Sequence, residues 1–329
     1  MPLLVVPGSE SAAAWTLFHS RTRKNDMLIR IGFEITVTCP APVPMLLALS
    51  VHSDFASRMI GSDRVRNIDI PDIREYTDGY GNRITRLTAP AGISTFWSDC
   101  IVEVDGQPDE VQLAASQIAL QDLPNETLTY LFASRYCDSD LMGDFAWKKF
   151  GQTKEGWSRV QAICDFVHSH VSFGYEYGRP DKTAANVLKE KTGVCRDFAQ
   201  LAISLCRAMG IPARYVSGYL GDIGVADTGF DDFCAWFEVY LDGKWYTFDA
   251  RYNVPRAGRV LMVRGHDAAD VAMITSFGAY ELTGFRVWSL ELADNEDEAA
   301  LLQSLETRPH PLQRGLGSQP GLTAWQIDT

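Results

Sequence analysis

No uninterrupted apolar run in this 329-residue chain approaches the roughly 18 residues needed to cross a bilayer. The opening residues, Met1-Pro-Leu-Leu-Val-Val-Pro-Gly8, lack the basic start and long apolar stretch of a secretion signal. The expectation is a cytoplasmic protein with no membrane attachment. Positive charge is also short, with 30 Lys and Arg against 42 Asp and Glu and a net charge of −12. That balance argues against general affinity for nucleic acid or anionic lipid, because either requires clustered cations. The seven cysteines, at 39, 100, 137, 164, 195, 206 and 234, are odd in number and lack metal-finger spacing. In a reducing compartment most such residues are free, buried and apolar in behaviour, so no metal finger is expected.

A chain of this length has room for two domains, each able to bury its own core. Residues 1–26 differ in composition from the rest of the chain and read as a loosely held extension, whose removal should leave the melting temperature nearly unchanged. From Met27 to about Ala133, short runs rich in Val, Ile, Thr and aromatics are punctuated by Asp78-Gly79, Gly81-Asn82 and Asp105-Gly106. Strands and turn dipeptides at that spacing predict an antiparallel β-sandwich over 27–150. A helix is predicted from about Glu155 through His170, on the stripe Trp157, Val160, Ile163, Phe166 and Val167. A shorter one is predicted near 184–191. Strands are predicted at 213–220, 234–241 and 244–251, with a last one near 284–290. The fold class is α+β, with 151–292 as the second domain and 293–329 as a tail.

The residue types that carry chemistry begin at Cys195, in Lys191-Thr-Gly-Val-Cys195-Arg-Asp-Phe-Ala199. There a turn around Gly193 runs into an apolar helical pattern that ends at Met209-Gly210-Ile-Pro212. Between 198 and 209 the polar residues Gln200, Ser204 and Arg207 fall on one narrow stripe, which leaves the rest of the helix for burial. A thiol at a helix N-terminus meets unpaired N–H groups and the positive end of the dipole, which can lower its pKa from about 8.5 to ~3.5–7.5. The thiolate that results is a nucleophile.

Asp242-Gly243 between two alternating runs predicts a tight hairpin in which paired residue numbers sum to 485. That register puts Cys234, Trp236 and Glu238 on one face with Thr247, Asp249 and Arg251, since opposed pairs share a face. Asp249 becomes the diagonal neighbour of position 234, about 7–8 Å away. A histidine at 234 would reach it, whereas cysteine is much shorter.

Four ordered segments, Gly193-Val-Cys195-Arg-Asp-Phe-Ala-Gln-Leu-Ala202, Gly210 to Tyr219, Ala235-Trp-Phe-Glu-Val-Tyr-Leu241 and Trp245-Tyr-Thr-Phe-Asp249-Ala-Arg251, together resemble the core of the bacterial transglutaminase-like superfamily. The preceding β region resembles the domain that accompanies that core. The resemblance implies a papain-like Cys, His, Asp arrangement. Cys195 would attack an amide carbonyl, the histidine would protonate the leaving amine, and Asp249 would orient the histidine. The family's histidine precedes Ala-Trp, and that place holds Cys234 here.

The expected function is a cysteine peptidase or amidase, or a transglutaminase-like acyltransferase, acting on peptide or isopeptide bonds of a peptide or protein substrate, with Cys195, Cys234 and Asp249 as site residues and no cofactor needed; whether the acyl group passes to water or to an amine stays open. Four histidines are candidates for the missing proton carrier. His168 and His170 end a helix, where capping is the plain alternative, and His266 lies in a loop after the hairpin. His52 reads as structural. Two other functions stay open: a degenerate member that binds peptide-like ligands without turnover, and a redox-responsive pair formed by Cys195 and Cys234. A metal held by these thiols and Asp249 lacks identifiable further ligands. Arg196 and Asp197 read as helix-end contacts, and Arg214 and Arg251 as structural or carboxylate-binding cations.

Overall fold

The computed structural model describes residues 27–70, 72–226, 232–292 and 305. The extension 1–26 and the tail 293–329, apart from Leu305, lie outside the described residues. The chain is α+β, as the sequence pattern predicts, and its four-stranded sheets are antiparallel.

The first half is built from β1 (Met27–Cys39), β2 (Val43–Leu47), β3 (Met59–Ile60), β4 (Arg74–Thr77), β5 (Arg83–Ala89) and β6 (Gly92–Val104). In β1, Ile29, Ile31, Phe33, Ile35 and Val37 are all buried, the alternation of a strand with one face on a core. Cross-pairing with β6 runs the whole length of β1, from Met27↔Val104 to Cys39↔Gly92.

The second half begins with α1 (Gly143–Phe150) and α2 (Trp157–His170). It continues through β7 (Ser172–Phe173), α3 (Ala184–Glu190), β8 (Thr192–Gly193) and α4 (Cys195–Ala208). Then come β9 (Ala213–Leu220), β10 (Phe233–Leu241), β11 (Lys244–Phe248) and β12 (Arg259–Gly265), which form one sheet in the order β11-β10-β9-β12. The β10–β11 hairpin has the predicted register, with Phe237↔Phe248, Glu238↔Thr247 and Val239↔Tyr246 paired. Its loop residues Asp242 and Gly243 both have positive φ, 48° and 87°, as a type I′ turn requires.

The last two strands are β13 (Ile274–Ser276) and β14 (Glu281–Glu291). They pair with β2 and β1 rather than with the sheet that precedes them. The strand expected near 284–290 therefore returns to the first half, although the sequence grouping places it with 151–292. Local pattern specifies a strand but leaves its partner open. A chemical mark of this pairing is Gly32, where an added Cβ would lie 2.2 Å from the Trp288 ring of β14 and 2.4 Å from the Ser98 carbonyl of β6. One contiguous core runs from Ile29 of β1 through α2 and α4 to Val287 of β14.

The helix α4 is buried on every side. Gln200 and Ser204 are fully buried and Arg207 is nearly so, so the polar stripe is covered rather than solvated. The segment before α1 lies over it, with Arg207 donating to the carbonyls of Phe132, Ala213 and His266 at 3.0, 3.0 and 2.7 Å. Leu305 is also buried, packed on Ile101 with its carbonyl accepting from Arg66 Nη1 at 2.6 Å. No helix among the described residues is long and apolar enough to cross a membrane.

Candidate active site

Cys195 is the first residue of α4 and is partly exposed, whereas the other six cysteines are buried. The turn before it is held tightly. Asp197 reaches back to accept the Val194 N–H at 3.0 Å and the Arg196 Nε at 2.8 Å. Gly193 is required there, because an added Cβ would stand 2.6 Å from Asp197 Cβ. β8 pairs in parallel with β7, and the buried Lys182 donates to the Thr192 carbonyl at 2.9 Å. These contacts fix the helix end that presents the sulfur.

The hairpin supplies the facing wall. Cys234 is buried and packs with Trp236, Val216 and Leu261 in a cluster that Cys195 also touches. The Cys234 thiol hydrogen-bonds to the Cys195 sulfur and lowers its pKa, to about 6 against burial that pushes it up. The nearby Arg251 guanidinium and the Ala235 N–H add to the lowering, while Asp197 opposes it. Cys234 moves the opposite way, well above the ordinary thiol range, since its hydrogen bond to Cys195 favours the protonated form, burial disfavours the anion, and the Cys195 and Asp249 charges repel it. The two opposite shifts favour negative charge on Cys195 rather than on Cys234.

Asp249 lies just beyond β11 and is buried. Its Oδ1 accepts the N–H groups of Arg251 and Tyr252 at 2.9 and 3.1 Å, and its Oδ2 accepts Arg259 Nη2 at 3.0 Å. Arg259 continues to Asp109, with Nε 2.9 Å from Oδ2, and its guanidinium lies over the Trp236 ring at 4.8 Å. The Asp249 charge bears on the Cys234 thiol, and a cation holds the carboxylate's Oδ2.

A profile of the transglutaminase-like superfamily matches residues 146–250, which include both Cys195 and Asp249. Among solved structures, a proposed cysteine protease from Cytophaga hutchinsonii is 30% identical and superposes with a TM-score of 0.70, over 83% of this chain and 93% of its own. The chain belongs to the transglutaminase-like superfamily. An uncharacterised protein of Mycobacterium bovis is 31% identical over 219 residues, 59% of this chain and 68% of the relative. One from Mycobacterium leprae is 26% identical over 217 residues, 64% of this chain and 77% of the relative.

In this transglutaminase-like protein the four described histidines are all engaged away from Cys195. His52 is buried, with Nε2 3.0 Å from the Tyr80 carbonyl. His168 Nδ1 lies 2.8 Å from the Arg251 carbonyl, and His170 Nε2 lies 2.8 Å from that of Leu188 in the last turn of α3. His266 lies between Thr129, Tyr80 and Asp270, at 2.6, 2.8 and 2.9 Å. Arg214 pairs with Glu238 and stacks on Trp245 at 4.0 Å. No group of three or more His, Cys, Asp or Glu suited to a metal occurs among the described residues.

Sequence reasoning missed Tyr175 and Asp232. Tyr175 opens a short helical turn after β7, and its hydroxyl hydrogen-bonds the carboxyl of Asp232, the residue before β10. Burial and the Cys195 charge push the Asp232 carboxyl up to about 7, against the Tyr175 hydrogen bond, the Phe233 N–H and Arg251. The only trace in sequence is the spacing of two between Asp232 and Cys234. Arg259 and Asp109 were missed as well, since ten residues and then 140 separate them from Asp249.

Proposed function

We propose that this protein is a thiol amidase or peptidase in which Cys195 attacks the carbonyl of a peptide or isopeptide bond and carries the acyl group as a thioester. The observation that carries this reading is the partly exposed Cys195 at the N-terminus of a buried helix, hydrogen-bonded by the Cys234 thiol, which lowers its pKa to about 6. A thiolate is the competent form of the nucleophile. Asp249 acts through position: by gripping the N–H groups of Arg251 and Tyr252 it fixes the segment that brings Arg251 toward the sulfur. Membership of the transglutaminase-like superfamily, and the likeness in fold to a proposed cysteine protease, support the same chemistry.

The test is intact-mass measurement after brief exposure to a p-nitrophenyl ester of a short peptide. The expected result is one acyl group on Cys195, lost again in water and absent from Cys195→Ser. A protein that only binds peptide-like ligands would form no adduct, and that result overturns the proposal.

One contact favours a second reading, a redox-responsive thiol pair. The Cys234 thiol hydrogen-bonded to a reactive thiolate is placed to resolve a sulfenic acid formed there by peroxide. Peptide mapping after mild peroxide treatment should then find Cys195 linked to Cys234. Stepwise oxidation of Cys195 alone to sulfinic acid would reject that pairing.

A further inference from the structure

Amide cleavage needs a proton for the departing nitrogen, and in this site no described imidazole stands ready to give it. Three groups able to carry a proton bear on the Cys195 sulfur: the Cys234 thiol, which hydrogen-bonds to it, and the Tyr175 hydroxyl and Asp232 carboxyl, which hydrogen-bond to each other. Asp232 is half-buried and stands two residues before Cys234, the spacing that sends side chains to one side of an extended chain, with Cα atoms about 6–7 Å apart. Tyr175 reaches it from the turn after β7, the strand paired beside the Cys195 turn, and Phe173 of that strand lies under the Arg251 guanidinium at 3.7 Å. Three separate chain segments thus meet around one sulfur.

We propose that Asp232 is the general acid of this site, protonating the leaving amine in place of the absent histidine. The inference rests on the reading of Cys195 as an acyl-forming nucleophile. An effective acid titrates near the working pH. The hydrogen bond to Cys195, with burial, moves the Cys234 thiol away from neutrality to higher pKa, and burial does the same to the Tyr175 phenol. The Asp232 carboxyl is moved by burial to about 7. The Cys195 thiol is lowered and the Asp232 carboxyl raised, so the two shifts together favour an ionised sulfur beside a carboxyl that holds its proton longer than an ordinary one. Cys195, Tyr175 and Arg251 are the charged or titratable groups that bear on that carboxyl.

The steps balance. The Cys195 thiolate forms the S–C bond, the C–N bond breaks, and the nitrogen leaves with the Asp232 proton. The Asp232 carboxylate then takes a proton from the water that attacks the thioester. The S–C bond breaks, thiolate is regenerated, and the net reaction is amide plus water to acid plus amine.

The experiment compares acylation rates of the parent and Asp232→Asn on one acyl group presented as a p-nitrophenyl ester and as an alkylamide. Nitrophenolate departs without a proton. The amide rate should fall roughly 10²–10⁴-fold, while the nitrophenolate burst changes far less. Equal losses on both substrates, or no loss on either, overturn the assignment. If the parent gives no acyl adduct on the ester, the reading of Cys195 fails, and the inference with it. Tyr175→Phe serves as an independent variant should Asp232→Asn not fold. It removes a hydrogen bond that favours the ionised carboxylate, so the alkaline limb of the amide profile should move to higher pH. An unmoved limb overturns the assignment.

Discussion

Arg259 Nη2 donates to Asp249 Oδ2 across 3.0 Å, and both side chains are buried, with exposures of 8% and 2%. The same guanidinium neutralises Asp109. Removing the cation leaves the buried Asp249 and the partly buried Asp109 with backbone N–H partners but no counter-charge. Arg259→Leu should therefore lower unfolding free energy by about 3–5 kcal/mol, the cost of breaking a buried ion pair. Urea denaturation measures it. Adding Asp249→Asn should recover part of the loss, since residues in one network are not additive; strictly additive losses would show that the two side chains do not interact.

The Cys234 thiol is the largest favourable influence on the Cys195 sulfur. Cys234→Ala deletes that donor and leaves the helix end in place. The Cys195 pKa should rise by at least one unit, which reduces the thiolate population about tenfold at a pH below both values. The rate of iodoacetamide labelling at pH 5.5 checks this. A rate equal to the parent's would assign the activation to Arg251 and the helix end instead.

Gly193 is the point where the turn before Cys195 meets Asp197, and an added Cβ would fall 2.8 Å from Asp197 Oδ2. Gly193→Ala must push that carboxylate off the Val194 N–H. A loss of about 1–3 kcal/mol is expected, as for overpacking a tight site, together with slower labelling of Cys195. Thermal melting and labelling rate report the two effects, and a variant unchanged in both would mean that the turn tolerates displacement.

Much of this arrangement is legible in sequence because it is local. Gly193 to Cys195 and Gly210-Ile-Pro212 bracket α4, and Asp242-Gly243 alone sets the register that pairs Phe237 with Phe248. What is not legible depends on distant partners. The polar stripe of Gln200, Ser204 and Arg207 reads as solvated, yet segments around Phe132 and His266 cover it. β14 reads as a strand, but only β1 and the bare Gly32 backbone determine where it pairs. Arg259 carries no local signal of its bond to Asp249. Asp232 reads as an ordinary acidic residue until burial beside Cys195 changes its chemistry.

The central claim is a stable thiolate at Cys195, and its most direct measurement is the rate of iodoacetamide alkylation of that residue against pH, read by peptide mass. A hydrogen bond from Cys234 and the Arg251 charge favour the anion, so the rate should reach half its maximum near pH 6. It should be flat above about pH 7.5, where an ordinary thiol of pKa about 8.5 is still rising. A rate that begins to climb only near pH 8, or no labelling of the folded protein, would contradict the account.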